Sequence, residues 1–167
     1  MGRQIYNTYS RSKNIVSRER SAESRERSAV NSKQKAEKSD KPHRNLLAWQ
    51  KAIELVLAIY NATGNFPNEE IYGLTSQLRR AAISVPSNIA EGAADRTTQQ
   101  FCNFLSNSIG SLNEIDTQLY VGLRLGYLNE NDYQHLHKLL DECLALTYGL
   151  RKSIQAKKYG INKRDNL

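Results

Sequence analysis

Four stretches of this chain place apolar residues three and four positions apart, and short clusters of Gly, Pro, Asn and Thr separate them. That spacing keeps one side of an α-helix apolar, and no segment alternates with period two for long enough to make a strand. The first stretch, LLAWQKAIELVLAIYNATG, has its apolar stripe at 46, 49, 53, 56/57 and 60. Gly64 is placed to cap its end, with Pro67 in the loop beyond. Asn68 then reads as the N-cap of a second helix, with Glu69 and Glu70 in the first turn, where the helix dipole favours acids. That helix runs through Ile71, Leu74, Leu78, Ala81/Ala82, Val85 and Ile89 to Gly92. Thr97 with Gln100 is a capping box for the third, whose stripe is Phe101, Leu105, Ser108, Leu112, Ile115, Leu119 and Leu123, ending at Gly126. Asn129 caps the fourth, with Glu130 and Asp132 in its first turn and a stripe of Tyr133, Leu136, Leu140, Cys143, Leu150 and Ile154 that ends near Gly160. Helices of this length joined by short loops pack as antiparallel neighbours. The expected fold is all-α, an up-down-up-down four-helix bundle.

The charge divides along the same boundaries. Residues 1–44 carry 12 Lys/Arg against 5 acids, residues 45–150 carry 6 against 11, and residues 151–167 carry 6 against 1. The net charge of +7 therefore describes an acidic body with a basic segment at each end. The first 44 residues hold too few large apolar side chains to bury a core and read as a mostly disordered basic tail, with SRERSA duplicated at 17–22 and 24–29. The expected organisation is this tail, a bundle over 45–158 and a short basic tail over 159–167. Basic arms are the usual electrostatic footprint of nucleic-acid or acidic-partner binding, and equally serve as solubilising extensions. The nucleic-acid candidates in the first arm are Arg18, Arg20, Arg25, Arg27, Lys33, Lys35, Lys38, Lys41 and Arg44. Those in the second are Arg151, Lys152, Lys157, Lys158, Lys163 and Arg164.

Other classes of function find little support. No window approaches the roughly 18 apolar residues of a membrane span, and the N-terminal residues are too polar for a secretory signal, so a cytoplasmic location and no membrane partner are expected. Cys102 and Cys143 fall on apolar stripes and read as reduced core residues, and the three histidines form no ligand spacing with them, so no metal and no cofactor are expected. There is no glycine-rich phosphate loop.

The segment RRAAISVPSNIAEG (79–92) places Pro86 inside a helical pattern. On a helical projection Leu78, Ala81, Ala82, Val85, Ile89 and Gly92 share the core face, while Gln77, Arg80, Ser84, Ser87 and Glu91 gather opposite. Arg79, Ile83, Pro86 and Ala90 fall between. A continuous helix kinked at Pro86 fits this pattern: proline frees the carbonyl of Ala82, and Ser84 or Ser87 is near enough to accommodate the distortion. Neither serine has a histidine base in its neighbourhood, so nucleophilic chemistry is not expected, and Glu91 with Glu114 or Asp116 is a weak case for a carboxylate pair. The polar face is poor in Lys and Glu, and the third helix repeats the feature with Asn107, Ser111, Glu114 and Gln118. Such faces suit coverage by another subunit. Arg79 or Arg80 is expected to pair with an acid of the second or third helix.

Residues 45–155 resemble the four-helix-bundle proteins encoded in intervening sequences of bacterial 23S ribosomal RNA genes. The resemblance is carried by WQKA (49–52), FPNEEIYGLTSQLRRAAISVPSNIAEG (66–92) and GSLNEIDTQL (110–119). The family's recurring polar residues fall on Gln77, Arg79, Arg80, Ser84, Pro86, Asn88, Glu91, Gly92, Glu114 and Gln118. The resemblance implies a ring-shaped homopentamer and a distant relation to the accessory variability proteins of diversity-generating retroelements, which pair with a reverse transcriptase and bind nucleic acid through a basic surface. Because the body here is acidic, any such charge must come largely from the tails. The leading expectation is a non-enzymatic, oligomeric RNA- or nucleic-acid-binding accessory protein, serving a reverse transcriptase or a structured RNA. The alternative is a protein–protein adaptor ring with no nucleic-acid role.

Overall fold

The computed structural model describes residues 41–95 and 97–158. Within them lie four α-helices: α1 (Leu47–Ala62), α2 (Leu74–Ala94), α3 (Thr98–Arg124) and α4 (Glu130–Lys158). Three 3-10 turns accompany them, at Pro42–Asn45, Thr63–Asn65 and Asn68–Ile71, and there is no strand among the described residues. Each helix packs on its sequence neighbours, and α4 closes on α1. Ser84 meets Ser111, Val85 meets Ser108 and Gly92 meets Phe101, so α2 and α3 run in opposite directions. The result is an antiparallel four-helix bundle. Among the described residues no helix is long and apolar enough to cross a membrane.

The buried face of α1 is not the one its largest apolar residues suggest. Ala48, Ala52, Leu55 and Ile59 are buried, whereas Leu57 is 65% and Tyr60 39% exposed. Leu46, Trp49 and Val56 pack only against the margin of the core. Alanines at 48 and 52 let the α1 backbone come close to its neighbours, and that approach outweighs the larger side chains one position further on. The end of α1 also differs from expectation. The chain tightens into the 3-10 turn at Thr63–Asn65, and Gly64 does not take the left-handed conformation of a capping glycine. Thr63 Oγ1 instead donates to the carbonyl of Ile59 at 2.8 Å, a second bond to an acceptor that also takes the Thr63 N–H.

Asn68 does not cap α2. Residues Asn68–Ile71 form a separate 3-10 turn, and α2 begins at Leu74. Glu70 does the capping: its Oε2 accepts the Leu74 N–H at 2.7 Å, while Oε1 accepts the Tyr127 hydroxyl at 3.4 Å. Both ends of α3 and the start of α4 follow the sequence. Thr97 Oγ1 accepts the Gln100 N–H at 3.3 Å, although the reciprocal bond is replaced by Asp95 Oδ1, which accepts the Thr97 N–H at 2.8 Å. Gly126, at φ 76°, closes α3 with the Tyr127 N–H on the Gly122 carbonyl and its own N–H on the Leu123 carbonyl. This double bond pattern is a Schellman cap, and a glycine supplies the left-handed residue without strain. Asn129 Oδ1 accepts the Asp132 N–H at 2.9 Å to start α4, which runs to Lys158, the last described residue.

Between the helices Leu55, Ile59, Leu78, Val85, Ile89, Leu105, Leu112, Ile115, Leu119, Leu136 and Leu140 are fully buried. Each such side chain stabilises the fold by about 1.5–3 kcal/mol relative to exposure. Cys102 and Cys143 are buried and free, and burial pushes the Cys143 thiol up to about 11. Thr147, a polar residue on the fourth stripe, is fully buried and donates to the Cys143 carbonyl at 2.8 Å.

Candidate functional site

Helix α2 runs without a break from Leu74 to Ala94 with Pro86 inside it, and Pro86 is itself buried rather than on a flank. Ser87 Oγ donates to the Ile83 carbonyl at 2.9 Å, and Asn88 Nδ2 donates to the Ser84 carbonyl at 2.8 Å. The side chains of the two residues after Pro86 therefore bond carbonyls in the turn that precedes it.

Ser84 does not look outward. It is half-buried in the α2–α3 seam, where its Oγ accepts from Ser111 Oγ at 2.9 Å and from Asn88 Nδ2 at 3.0 Å. One turn along, the fully buried Ser108 Oγ donates to the Val85 carbonyl at 3.1 Å. The weakly charged faces of the two helices thus partly cover each other within the chain, and small residues allow that closeness. Gly92 extends the seam, since a Cβ there would come within 2.5 Å of Phe101 Cδ2 and 2.9 Å of Phe104 Cβ. Ser87 and Glu91 remain exposed.

The expected pairing of Arg79 or Arg80 with an acid of α2 or α3 is not found. Arg79 Nε donates to Thr63 Oγ1 at 2.8 Å, and its guanidinium lies 4.7 Å from the centroid of the Tyr60 ring, a cation–π contact between α2 and α1. Arg80 bonds Gln77 within α2. Both contacts are neutral. On α3, Glu114 Oε1 accepts from Gln118 Nε2 at 2.9 Å, one turn along the same helix, and Gln118 Oε1 is buried without a partner among the described residues. Asp116 serves a different contact: it lies 3.3 Å from His137 Nε2, while Asp141 lies 3.3 Å from Nδ1, so one imidazole joins α3 to α4. Lys51 links α1 to α4 in the same way, at 3.0 Å from Glu142, with Glu54 of its own helix at 2.6 Å. Hydrogen bonding to Lys51 holds the Glu142 carboxyl below the usual carboxylate range.

The basic candidates that fall within the described residues share one end of the bundle. Asn45–Ala48 face Ala145, Leu146, Gly149 and Leu150 across a shallow groove, so the first turn of α1 lies beside the second half of α4. Lys41 and Arg44 precede that turn and Arg151 and Lys152 follow it, with Lys157 and Lys158 in the final turn of α4. Lys41, Arg44 and Lys152 are exposed and Arg151 is half-buried. Arg18, Arg20, Arg25, Arg27, Lys33, Lys35, Lys38, Lys163 and Arg164 lie outside the described residues. Among the described residues no group of three or more His, Cys, Asp or Glu could hold a metal ion.

Residues 44–149 match the family described as 23S rRNA-intervening sequence protein. The chain belongs to this family. A solved structure described as a protein with unknown function from the S23 ribosomal protein family, from Bacteroides thetaiotaomicron, is similar to this 23S rRNA-intervening sequence protein. The two share 20% identity and a TM-score of 0.59 over 64% of this chain and 96% of that one, which establishes a common fold. No curated protein matches the chain. Three contributors to the polar contacts of this 23S rRNA-intervening sequence protein were not visible in its sequence as site residues: Tyr60, Thr63 and His137. Each acts across helices or turns distant in the chain. The signal that could have found Thr63 is its place at a helix end, where hydroxyls take up free carbonyls and keep a lone pair for another donor.

Proposed function

We propose that this protein is a non-enzymatic, self-assembling bundle that binds RNA through basic segments gathered at one end. The supporting observation is the packing of Asn45–Ala48 beside Ala145–Leu150, which puts Lys41 and Arg44 at the same end of the bundle as Arg151 and Lys152, while residues 45–150 are acidic. Phosphate binding needs a concentration of cations rather than a shaped pocket, and two adjacent arms supply it. Assembly is supported by large apolar side chains left exposed outside the α1–α2 groove, chiefly Leu57 on α1 and Tyr120 and Val121 on α3. A homopentameric ring and service to a reverse transcriptase of a diversity-generating retroelement are the specific forms this reading takes, on family resemblance.

The test is fluorescence anisotropy with labelled single-stranded and structured RNA over a salt series. Affinity falls steeply with salt, and removal of residues 1–44 and 159–167 abolishes most of it. RNA binding unchanged by both deletions overturns the proposal. The exposed apolar side chains also favour the adaptor reading, for which salt-insensitive capture of a protein partner by residues 45–158 is the distinguishing result. Light scattering that shows a monomer at micromolar concentration removes the assembly element.

A further inference from the structure

The geometry points to a binding site for a small organic anion, a carboxylate or phosphate monoester on an apolar body, in the groove between α1 and α2. The groove has a volume of about 440 Å³ and is lined by Tyr60, Ile71, Thr75, Arg79, Arg80 and Ile83, with Ser76 at its edge. That volume lies within the range of pockets that hold small molecules. The site is distinct from the basic end of the bundle, because it is built from the last turn of α1 and the first half of α2.

Three observations carry the assignment. First, Arg79 and Arg80 bring two permanent positive charges to one groove, and neither forms an ion pair with an acid among the described residues. The nearest acid in sequence with a defined role, Glu70, has both oxygens occupied by Leu74 N–H and the Tyr127 hydroxyl. A half-buried cation without a counter-ion is left with uncompensated desolvation, which a bound anion relieves.

Second, Arg79 is held in place. Its Nε is fixed by Thr63 Oγ1 at 2.8 Å and its plane lies against the Tyr60 ring at 4.7 Å. Thr63 can accept that bond because its own proton goes to the Ile59 carbonyl at 2.8 Å. Among the described residues only Nε is engaged in a hydrogen bond, so the two terminal nitrogens keep their donors for a planar, two-oxygen acceptor. A guanidinium fixed in this way loses little freedom when it binds.

Third, Thr75 lines the groove, is only 4% exposed, and its Oγ1 has no hydrogen-bond partner among the described residues. A buried hydroxyl without a partner is costly unless something completes it, and an anion oxygen is a suitable acceptor. The remaining wall is apolar. Ile71 and Ile83 are 50% and 45% exposed and flank the arginines, so an inorganic ion alone would leave half of the surface uncovered. The fitting ligand therefore has an anionic head and an apolar body.

The test is isothermal titration calorimetry of the full chain with octanoate and octyl phosphate, against octanol and acetate as the same molecule without its charge or without its body. Saturable binding of octanoate or octyl phosphate at one per chain is expected, at least ten-fold tighter than either control, and the tighter of the two names the head group. Arg79→Gln should weaken it at least ten-fold. Because that change also removes the contact to Thr63, Ile83→Glu serves as a second variant: the position is exposed, and the new carboxylate should neutralise the arginines and weaken binding to the same degree. Circular dichroism confirms that both variants fold. Equal binding of octanol and octanoate, binding unchanged in both folded variants, or no saturable binding of either anion at millimolar concentration overturns the assignment.

Discussion

Ser108, fully buried on α3, donates a hydrogen bond of 3.1 Å to the carbonyl of Val85, the residue that precedes Pro86 on α2. A hydroxyl in an apolar core is tolerated when it is bonded, and here the bond spans two helices. Ser108→Ala is expected to lower stability by about 1 kcal/mol, the usual net worth of such a bond. Ser108→Val adds volume at a close helix crossing and is expected to cost about 1–3 kcal/mol. Urea unfolding followed by far-ultraviolet circular dichroism measures both, and a neutral Ser108→Ala would show that the hydroxyl holds nothing.

Two glycines give opposite predictions for the same substitution. Within a helix, Gly→Ala gains about 0.5–1 kcal/mol where space permits. Gly110 on α3 has nothing within 4 Å of where a Cβ would stand, so Gly110→Ala should raise the unfolding midpoint. At Gly92 the new Cβ would meet Phe101 Cδ2 at 2.5 Å and Phe104 Cβ at 2.9 Å, and the second of these cannot swing away. Overpacking of about 1–3 kcal/mol then exceeds the helical gain, and Gly92→Ala should destabilise. Equal effects at the two positions would contradict the close approach of α2 and α3.

The Lys51–Glu142 pair, at 3.0 Å, makes stability depend on pH at the acid end. Hydrogen bonding to Lys51 lowers the Glu142 pKa, so the contribution is present above the unfolded carboxylate range and is lost as pH falls through the lowered value. The hydrogen bonds that Lys51 donates to Glu54 and Glu142 raise its pKa, so its share is lost only at strongly alkaline pH. Glu142→Gln should therefore lower the urea midpoint at neutral pH. Its difference from the parent should begin to shrink as pH falls below the ordinary carboxylate value, about 4, and vanish once pH is below the lowered Glu142 value. A difference that is constant from neutral to acid pH would rule the pair out as the cause.

Cys143, with its thiol pushed up to about 11 by burial, and Cys102, also buried, should be inert in the native protein. Ellman's reagent at neutral pH should find essentially no fast-reacting thiol, and two per chain after addition of guanidinium chloride. A fast native reaction would mean that α4 or the start of α3 opens readily.

Much of the bundle was legible because its signals are local. Thr97, Gly126 and Asn129 act within a few residues of themselves, and their roles follow from hydroxyl, φ and amide chemistry alone. The stripes of α3 and α4 were also plain, since Leu and Ile recur along them. Illegible features were those set by something distant. Ala48 and Ala52 carry little hydrophobic signal, so the rotation of α1 shows only once neighbours press against it. Asn68 followed by two acids imitates an N-cap, and only the reach of Glu70 to Leu74 and Tyr127 reveals the true start of α2. Arg79 looked like half of an ion pair because charge is what a sequence displays. Its actual partners, Thr63 and Tyr60, lie 16 and 19 positions back and are neutral. Ser84 and Ser111 were read as outward-facing because a projection treats each helix alone.

An even number of antiparallel helices returns the chain to the end at which it started, and the contact of Asn45–Ala48 with Ala145–Leu150 is the local expression of that parity. In any cyclic assembly of such bundles, rotational symmetry copies the arrangement without inverting it. If the bundle axes follow the symmetry axis, every copy then presents Lys41, Arg44, Arg151 and Lys152 on the same side, and the two sides of the assembly differ in charge.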